Sequence, residues 1–392
     1  MSSVKNSRSH YTSSNKVSFI RGGKVFFDRM LELINSARDS IHLQTYIFRE
    51  DVTGSSIGKA LEQAARRGVQ VYLLLDGYAS QDISSAFITR LQQAGVHFRY
   101  FEPLLKSRYY YFGRRLHQKL FVADTGYALV GGINISDHYN DLPGRPAWLD
   151  FAVYVEGSVA QQLCVLCWKT WTGFFPGMGR TPCELVQPEF HFGEQGGCLV
   201  SIRRNDWVRR KNEVSATYKK IFRQANAEVL LVSSYFLPGR VFRRNMTDAL
   251  ERGVAIKLIL AGISDVRIAK QAERHMYRWL IKNNIEIYEY LPKVLHGKLA
   301  VCDDRWMTIG SYNFNDISAH ASIELNLDIR NRHFVRVVRK ELETILEQDC
   351  VRITADRFNR QNHFLQRAWQ ACCYQLILLI LFLFTFYFKQ RE

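Results

Sequence analysis

Two segments of the chain place the same three residue types at the same spacing. The first is His117-Gln-Lys119-Leu-Phe-Val-Ala-Asp124, and the second is His296-Gly-Lys298-Leu-Ala-Val-Cys-Asp303. In each, a Gly follows the Asp by seven residues (Gly131, Gly310), and an Asn follows that Gly by three (Asn134, Asn313). Ser311 stands directly after the second Gly, where the first copy has Gly132. A single His-x-Lys-x4-Asp arises by chance in roughly a few per cent of chains this long. Two of them, with Gly and Asn at matching offsets, do not.

The spacing has a mechanical meaning. Residues i and i+2 of an extended strand point to one side, so His117 and Lys119 share a face, as do His296 and Lys298. An imidazole beside an ammonium is a poor metal site but suits a phosphate. The imidazole attacks phosphorus while the ammonium neutralises the nonbridging oxygens. Two copies brought together would surround one phosphate with two His, two Lys and two Asn, and the reaction would need no metal and no cofactor. One His would carry the phosphorus covalently; the other would protonate the departing alcohol and deprotonate the incoming one. The catalytic candidates are His117, Lys119, Asp124, His296, Lys298 and Asp303, with Asn134, Asn313 and Ser311 as phosphate-binding candidates. A His in such a role needs a carboxylate to fix its tautomer. Asp150 is the candidate for His117 and Glu324 for His296, each following its His by about thirty residues and opening an apolar strand.

The elements that must position these residues also come twice. Asp39-Ser-Ile-His-Leu-Gln-Thr-Tyr46 and Ala227-Glu-Val-Leu-Leu-Val-Ser-Ser-Tyr235 are apolar strands ending in Tyr. Each leads to a helix and a Gly-Val turn into another strand, as in ALEQAARRGVQVYLLLDG (residues 60–77) and ALERGVAIKLILAG (249–262). A further helix, a further strand and the His motif follow in both. Strands alternating with helices predict an α/β protein with a largely parallel sheet and helices on both faces. The expected boundaries are a disordered tail over 1–16, a first domain over 17–172, a linker over 173–197, a second domain over 198–350 and a terminal segment over 351–392. The linker holds Pro176, Pro182 and Pro188 and is rich in Gly.

The chain has 392 residues, is 47% apolar, and carries a formal net charge of +16. That composition excludes a disordered protein, and the charge favours anionic partners. The eight cysteines are irregularly spaced. Cys164 and Cys167 form a lone C-x2-C in an apolar helical pattern, with no His cluster nearby to complete a zinc site. They read as core thiols in a reducing compartment. Residues 371–388 contain only one strongly polar side chain, Gln375, and basic residues flank them, which makes a membrane anchor the expectation. Residues Leu104 to Arg115 mix aromatics with cations and suit a headgroup boundary. The run from Arg203 to Lys211 would suit either a nucleic-acid backbone or anionic lipid.

These motifs resemble those of the phospholipase D superfamily over nearly all of residues 17–350, and more closely the bacterial cardiolipin synthases lacking N-terminal membrane helices. Tyr46-Ile-Phe-Arg-Glu-Asp51, Leu75-Asp-Gly-Tyr-Ala-Ser80, Leu116-His-Gln-Lys119, Gly131-Gly-Ile-Asn134, Leu295-His-Gly-Lys298 and Gly310-Ser-Tyr-Asn313 carry the likeness. The resemblance implies two α/β/α sandwich domains related by pseudo-twofold symmetry around one shared active site. It makes His117 the nucleophile and His296 the general acid and base. It implies that Lys119, Lys298, Asn134 and Asn313 hold the phosphate, and that Asp124 and Asp303 support the strands. The implied activity is phosphatidyl transfer forming cardiolipin from phosphatidylglycerol and a second phospholipid. The expected partner is an anionic phospholipid membrane, with no nucleic acid, at the bacterial inner membrane with the catalytic body in the cytoplasm. Phospholipid hydrolysis uses the same residues and stays open. A nuclease and a non-catalytic scaffold rank below it.

Overall fold

A computed structural model describes residues 11–103, 114–174, 183, 197–314 and 322–389; of Gln361 and residues 381–389 only the backbone is described. The first half holds β1 (Asn15–Ile20), β2 (Ser40–Thr45), β3 (Gln70–Asp76), β4 (His97–Phe101), β5 (Arg115–Leu116), β6 (Lys119–Ala123), β7 (Tyr127–Gly131) and β8 (Ala152–Gly157). Seven of these form one sheet in the order β1-β8-β7-β6-β2-β3-β4. The second half holds β9 (Leu199–Asp206), β10 (Lys211–Asn212), β11 (Glu228–Ser233), β12 (Ala255–Ile263), β13 (Glu286–Val294), β14 (Leu299–Cys302), β15 (Trp306–Gly310), β16 (Ser322–Arg330) and β17 (Cys350–Arg352). Their order is β10-β9-β16-β15-β14-β11-β12-β13-β17. From β1 to β4 and from β9 to β13 the two sheets match strand for strand. The repeat seen in the sequence is therefore a repeat of topology.

The expectation of a largely parallel sheet needs correction. Within the two matching runs of strands only β2-β3-β4 and β11-β12-β13 are parallel; β6, β7, β8 and β1 pair antiparallel, as do their second-half counterparts. The helices Val52–Arg66 and Ser85–Gln93 give the parallel strands their crossovers. β6 and β7 are joined by a tight hairpin, which antiparallel strands alone permit.

Three apolar layers hold the molecule together. One lies outside the first sheet and involves the helix Gly23–Ser36, another lies outside the second, and the third is shared. The shared layer packs Leu120, Val130 and Val153 of the first sheet with Val232, Leu299 and Leu325 of the second. The helices Ser158–Trp171 and Arg332–Gln348 complete it. The two halves thus bury one common core.

Within the expected tail, Thr12 bridges Val200, and Asn15 and Lys16 already belong to β1; residues 1–10 lie outside the described residues. The expected linker also lies outside them except for residues 173, 174, 183 and 197. The last helix, Phe364–Lys389, packs along the helix Arg267–Lys282, with Tyr374 stacked on His275 and Cys373 buried. Among the described residues no helix is long and apolar enough to cross a membrane. The expected anchor over 371–388 extends beyond the described side chains.

Candidate active site

His117 and Lys119 sit where β5 passes into β6, beside the carboxyl end of β2. Two anchors fix this stretch. The buried Asp76 carboxylate, at the end of β3, accepts the Leu116 N–H at 2.7 Å. The β5 strand pairs parallel with β16 of the other half, and the His117 N–H donates to the Ile323 carbonyl at 3.0 Å. The second motif mirrors this crossing: Leu149 bridges Leu295, and the His296 N–H donates to the Leu149 carbonyl at 2.7 Å. Each histidine is therefore tied by its backbone to the opposite half.

The side chains follow the backbones, which corrects the carboxylate assignment made from sequence. Glu324 holds His117, at 2.9 Å from Nδ1, and Asp150 holds His296, at 2.6 Å from Nδ1. The expected pairing within each half is exchanged. An ionised carboxylate only accepts, so Nδ1 faces it as the donor; Nε2 then offers a lone pair when the ring is neutral and a proton when the ring is protonated. Glu324 is itself fully engaged: Ser311 donates to it at 2.5 Å and Ser322 at 2.7 Å. Ser311, expected at the phosphate, thus orients the carboxylate that orients His117. On the other side the Phe151 N–H donates to Asp150 at 2.7 Å. Gly132 occupies the place equivalent to Ser311. A Cβ there would lie 2.4 Å from an Asp150 oxygen, so this close approach requires glycine.

Lys119 folds back onto the His117 carbonyl at 2.6 Å, and Lys298 folds back onto that of His296. Each shares a face with its histidine, as alternation requires. Burial pulls the Lys119 ammonium down to about 7 and that of Lys298 down to about 8; Glu324 and Asp150 offset part of the loss. Burial also lowers both histidines, His296 the further, with Lys298 and Lys119 adding to it. Burial raises the Asp150 carboxyl to about 7. Burial works to raise Glu324 too, but His117 and Lys119 outweigh it and the net direction is downward. The charge of Lys298 acts on His117, and that of His117 on both His296 and Asp150. The two motifs share one electrostatic site.

Asn134 and Asn313 are buried beside it. Asn134 accepts the Ile47 N–H at 3.1 Å and donates to the Tyr139 hydroxyl at 2.9 Å; Asn313 accepts the Ser234 hydroxyl at 2.9 Å. Asp124 and Asp303 hold backbone rather than either histidine, the supporting place that the resemblance implied for them. Each lies at the opposite end of its strand. Asp124 accepts the N–H groups of Arg38, Asp39 and Ser40 at 2.8–3.0 Å. Asp303 accepts those of Asn226, Ala227 and Glu228 at 2.7–2.9 Å. Both have positive φ, 47° and 50°, in the turns that reverse the chain. Aspartate tolerates that conformation better than most residues.

Sequence reasoning missed several neighbours. Tyr46 stands edge-on to His117 at 4.8 Å, with the Lys119 ammonium over its ring. Its position as the shared last residue of two repeated strands was the available signal. Tyr139 lies edge-on to His296, its hydroxyl 3.4 Å from Nε2, and Trp148 packs behind. Gln118 turns away from the site and donates to Gln44 at 2.6 Å. The basic run is divided: Arg203 and Arg204 point inward, whereas Arg209, Arg210 and Lys211 are exposed. Arg203 pairs with the buried Asp328 at 2.6 Å, and Arg204 and Arg209 both reach the buried Asp206. Of the aromatic and cationic loop, residues 104–113 lie outside the described residues; Arg114 pairs with Asp206 and Arg115 with Asp76.

Comparison with known proteins agrees with this geometry. The family described as cardiolipin synthase, phospholipase D-like domain, matches residues 30–143 and 218–346. The chain is 36% identical to cardiolipin synthase B of Salmonella typhi over 88% of its length and 83% of that protein's. It is 33% identical to cardiolipin synthase B of Escherichia coli over the same shares. Among solved structures, phosphatidylserine synthase of Haemophilus influenzae superposes with a TM-score of 0.71 over 93% of both chains at 14% identity. At that identity the likeness speaks for the fold alone, a two-domain phospholipase D fold. A duplicated sheet, two motifs coupled through their charges and a match across both halves lead to one assignment: the chain belongs to the cardiolipin synthase family of phospholipase D-like proteins.

Proposed function

We propose that this protein is a phosphatidyltransferase that makes cardiolipin from phosphatidylglycerol and a second phospholipid by way of a phosphatidyl-histidine. The observation that carries the reading is the pair of electrostatically coupled histidines, each held at Nδ1 by a carboxylate of the opposite half. His117 Nε2 attacks the phosphorus of phosphatidylglycerol. The bond to the glycerol oxygen breaks, and His296 supplies the proton with which glycerol leaves. The headgroup hydroxyl of a second phosphatidylglycerol then attacks the phosphorus. His296 takes its proton back, and the bond to His117 breaks. Lys119 and Lys298, with Asn134 and Asn313, neutralise and orient the nonbridging oxygens throughout.

The reaction takes place at an anionic inner-membrane surface. Three observations support that setting: the net charge of +16, the relatives' naming as cardiolipin synthases, and the exposed apolar side chains of Phe364, Leu365, Trp369, Leu376 and Leu379 on the last helix. The catalytic body faces the cytoplasm, where reduction would open the Cys164–Cys183 disulfide and the other six cysteines would remain thiols.

The test is incubation of the purified protein with phosphatidylglycerol vesicles, alone and with phosphatidylethanolamine, in excess chelator. Cardiolipin and glycerol are the expected products. Phosphatidic acid as the sole product would make the enzyme a hydrolase, and inertness toward lipid with cleavage of DNA would replace the reading altogether. With radiolabelled lipid, His296→Ala retains label on the protein and His117→Ala does not.

A further inference from the structure

Away from the pocket, a second cluster of ligating side chains has no part in the mechanism. His42 lies in the middle of β2 and is 1% exposed. Among the described residues neither of its ring nitrogens has a hydrogen-bond partner. Buried polar atoms are nearly always partnered, and this ring has two that are not, so the arrangement calls for an explanation. Stacking on Tyr72 fixes the ring plane, with centroids 4.9 Å apart. Beside it are Cys164, from the inner helix Ser158–Trp171, and Cys183, from the segment joining the halves. Both are buried, and they form a disulfide with Cα atoms 5.8 Å apart. The ligating atoms of all three residues lie within 4.8 Å of one another. This corrects the reading of Cys164 as a core thiol; Cys167 is the free, buried member of the C-x2-C.

We propose that, when the Cys164–Cys183 disulfide is reduced, His42, Cys164 and Cys183 bind one zinc ion, so that the same three residues alternate between a disulfide and a metal site. Reduction transfers two electrons and two protons from a dithiol to the disulfide, giving two thiols and an oxidised dithiol. Zinc then displaces both thiol protons. Zinc–sulfur bonds of about 2.3 Å at a tetrahedral angle place the sulfurs about 3.8 Å apart, and the zinc–nitrogen bond is about 2.0 Å. The three donors lie within 4.8 Å of one another with the disulfide closed, and its reduction lets the two sulfurs separate to that spacing; a water would take the fourth position. Two thiolates and a neutral imidazole cancel the charge of Zn2+, so the loaded site adds no net charge to the core. Burial keeps His42 neutral, down to about 4, so a lone pair is available without displacing a proton. Soft thiolate and imidazole donors favour zinc over magnesium or calcium.

The test uses the full chain, purified oxidised and then reduced with a phosphine that is removed before titration with Zn2+ alone. The reduced protein is expected to take up one zinc per chain at one tight site, releasing two protons. The oxidised protein takes up none there. Co2+ in place of zinc should give a thiolate-to-cobalt charge-transfer band. Zinc should protect Cys164 and Cys183 from alkylation, leaving Cys372 reactive. Cys183→Ser and His42→Gln should each weaken binding by roughly 100-fold or more, with phosphatidyl transfer by Cys183→Ser as the check on folding. If His42→Gln fails to fold, Cys183→Ser with the cobalt spectrum decides. No zinc uptake on reduction, protection of other cysteines instead, or wild-type affinity in Cys183→Ser would overturn the proposal.

Discussion

At the scale of single residues, the exchanged carboxylates assign separate roles that activity can read. Glu324 lies against His117 and Asp150 against His296, so in the proposed mechanism the first supports the nucleophile and the second the acid and base. Glu324→Gln and Asp150→Asn are each expected to slow turnover by roughly 10²–10⁴-fold. An activated aryl leaving group needs no proton, so it should restore the single-turnover first step in Asp150→Asn and not in Glu324→Gln. Rescue of Glu324→Gln instead would return the pairing to that read from sequence. The lysines set a pH limit. Their folded-state values, about 7 and about 8, lie below the free value. As pH rises through that range the free enzyme loses first one ammonium and then the other, so kcat/KM for phosphatidylglycerol should fall. A profile that keeps climbing across the range would remove the lysines from phosphate neutralisation. The sign for stability is opposite. The unfolded chain holds more protons on these two groups above about pH 7, so their contribution to stability rises with pH. His and Lys were legible in the sequence because the i, i+2 spacing forces them to one face. Their carboxylate partners were legible as residues but not as pairs, because only the crossing of β5 onto β16 decides which half each one serves.

At the scale of elements, the third member of the motif belongs to the hairpin and not to the pocket. Asp124 and Asp303 each gather three backbone N–H groups at the start of a neighbouring strand, from a turn with positive φ. Asp124→Ala is expected to cost about 2–4 kcal/mol, since bonds to a charged acceptor are worth about 1.5–3 kcal/mol each and are not additive. Activity per folded molecule should survive. Denaturant unfolding with an active-site titration separates the two effects, and lost turnover at unchanged stability would place the carboxylate back in the chemistry. The strands and their repetition could be read from apolar alternation, yet strand direction could not. Between β6 and β8 there is no α-helix to carry a crossover, and the turn at Asp124 and Thr125 reverses β6 into β7. The His42 cluster was hidden for a related reason: its three residues come from a strand, a helix and a connecting segment that no sequence spacing relates.

At the scale of the whole molecule, a shared apolar layer and two backbone crossings make the halves one working unit. If the chain is cut between residues 173 and 197 and the pieces are produced separately, neither should turn over lipid. Produced together, they should recover measurable transfer, because each restores the other's missing carboxylate. Turnover by one piece alone would mean that a single motif suffices. The single chain also permits something a symmetric dimer of one half could not. Such a dimer would present the same acid twice. Here one side carries aspartate against Gly132 and the other glutamate against Ser311. Joined in one polypeptide, the two faces could drift apart in sequence, each keeping its own matched partner, until one served bond making and the other proton traffic.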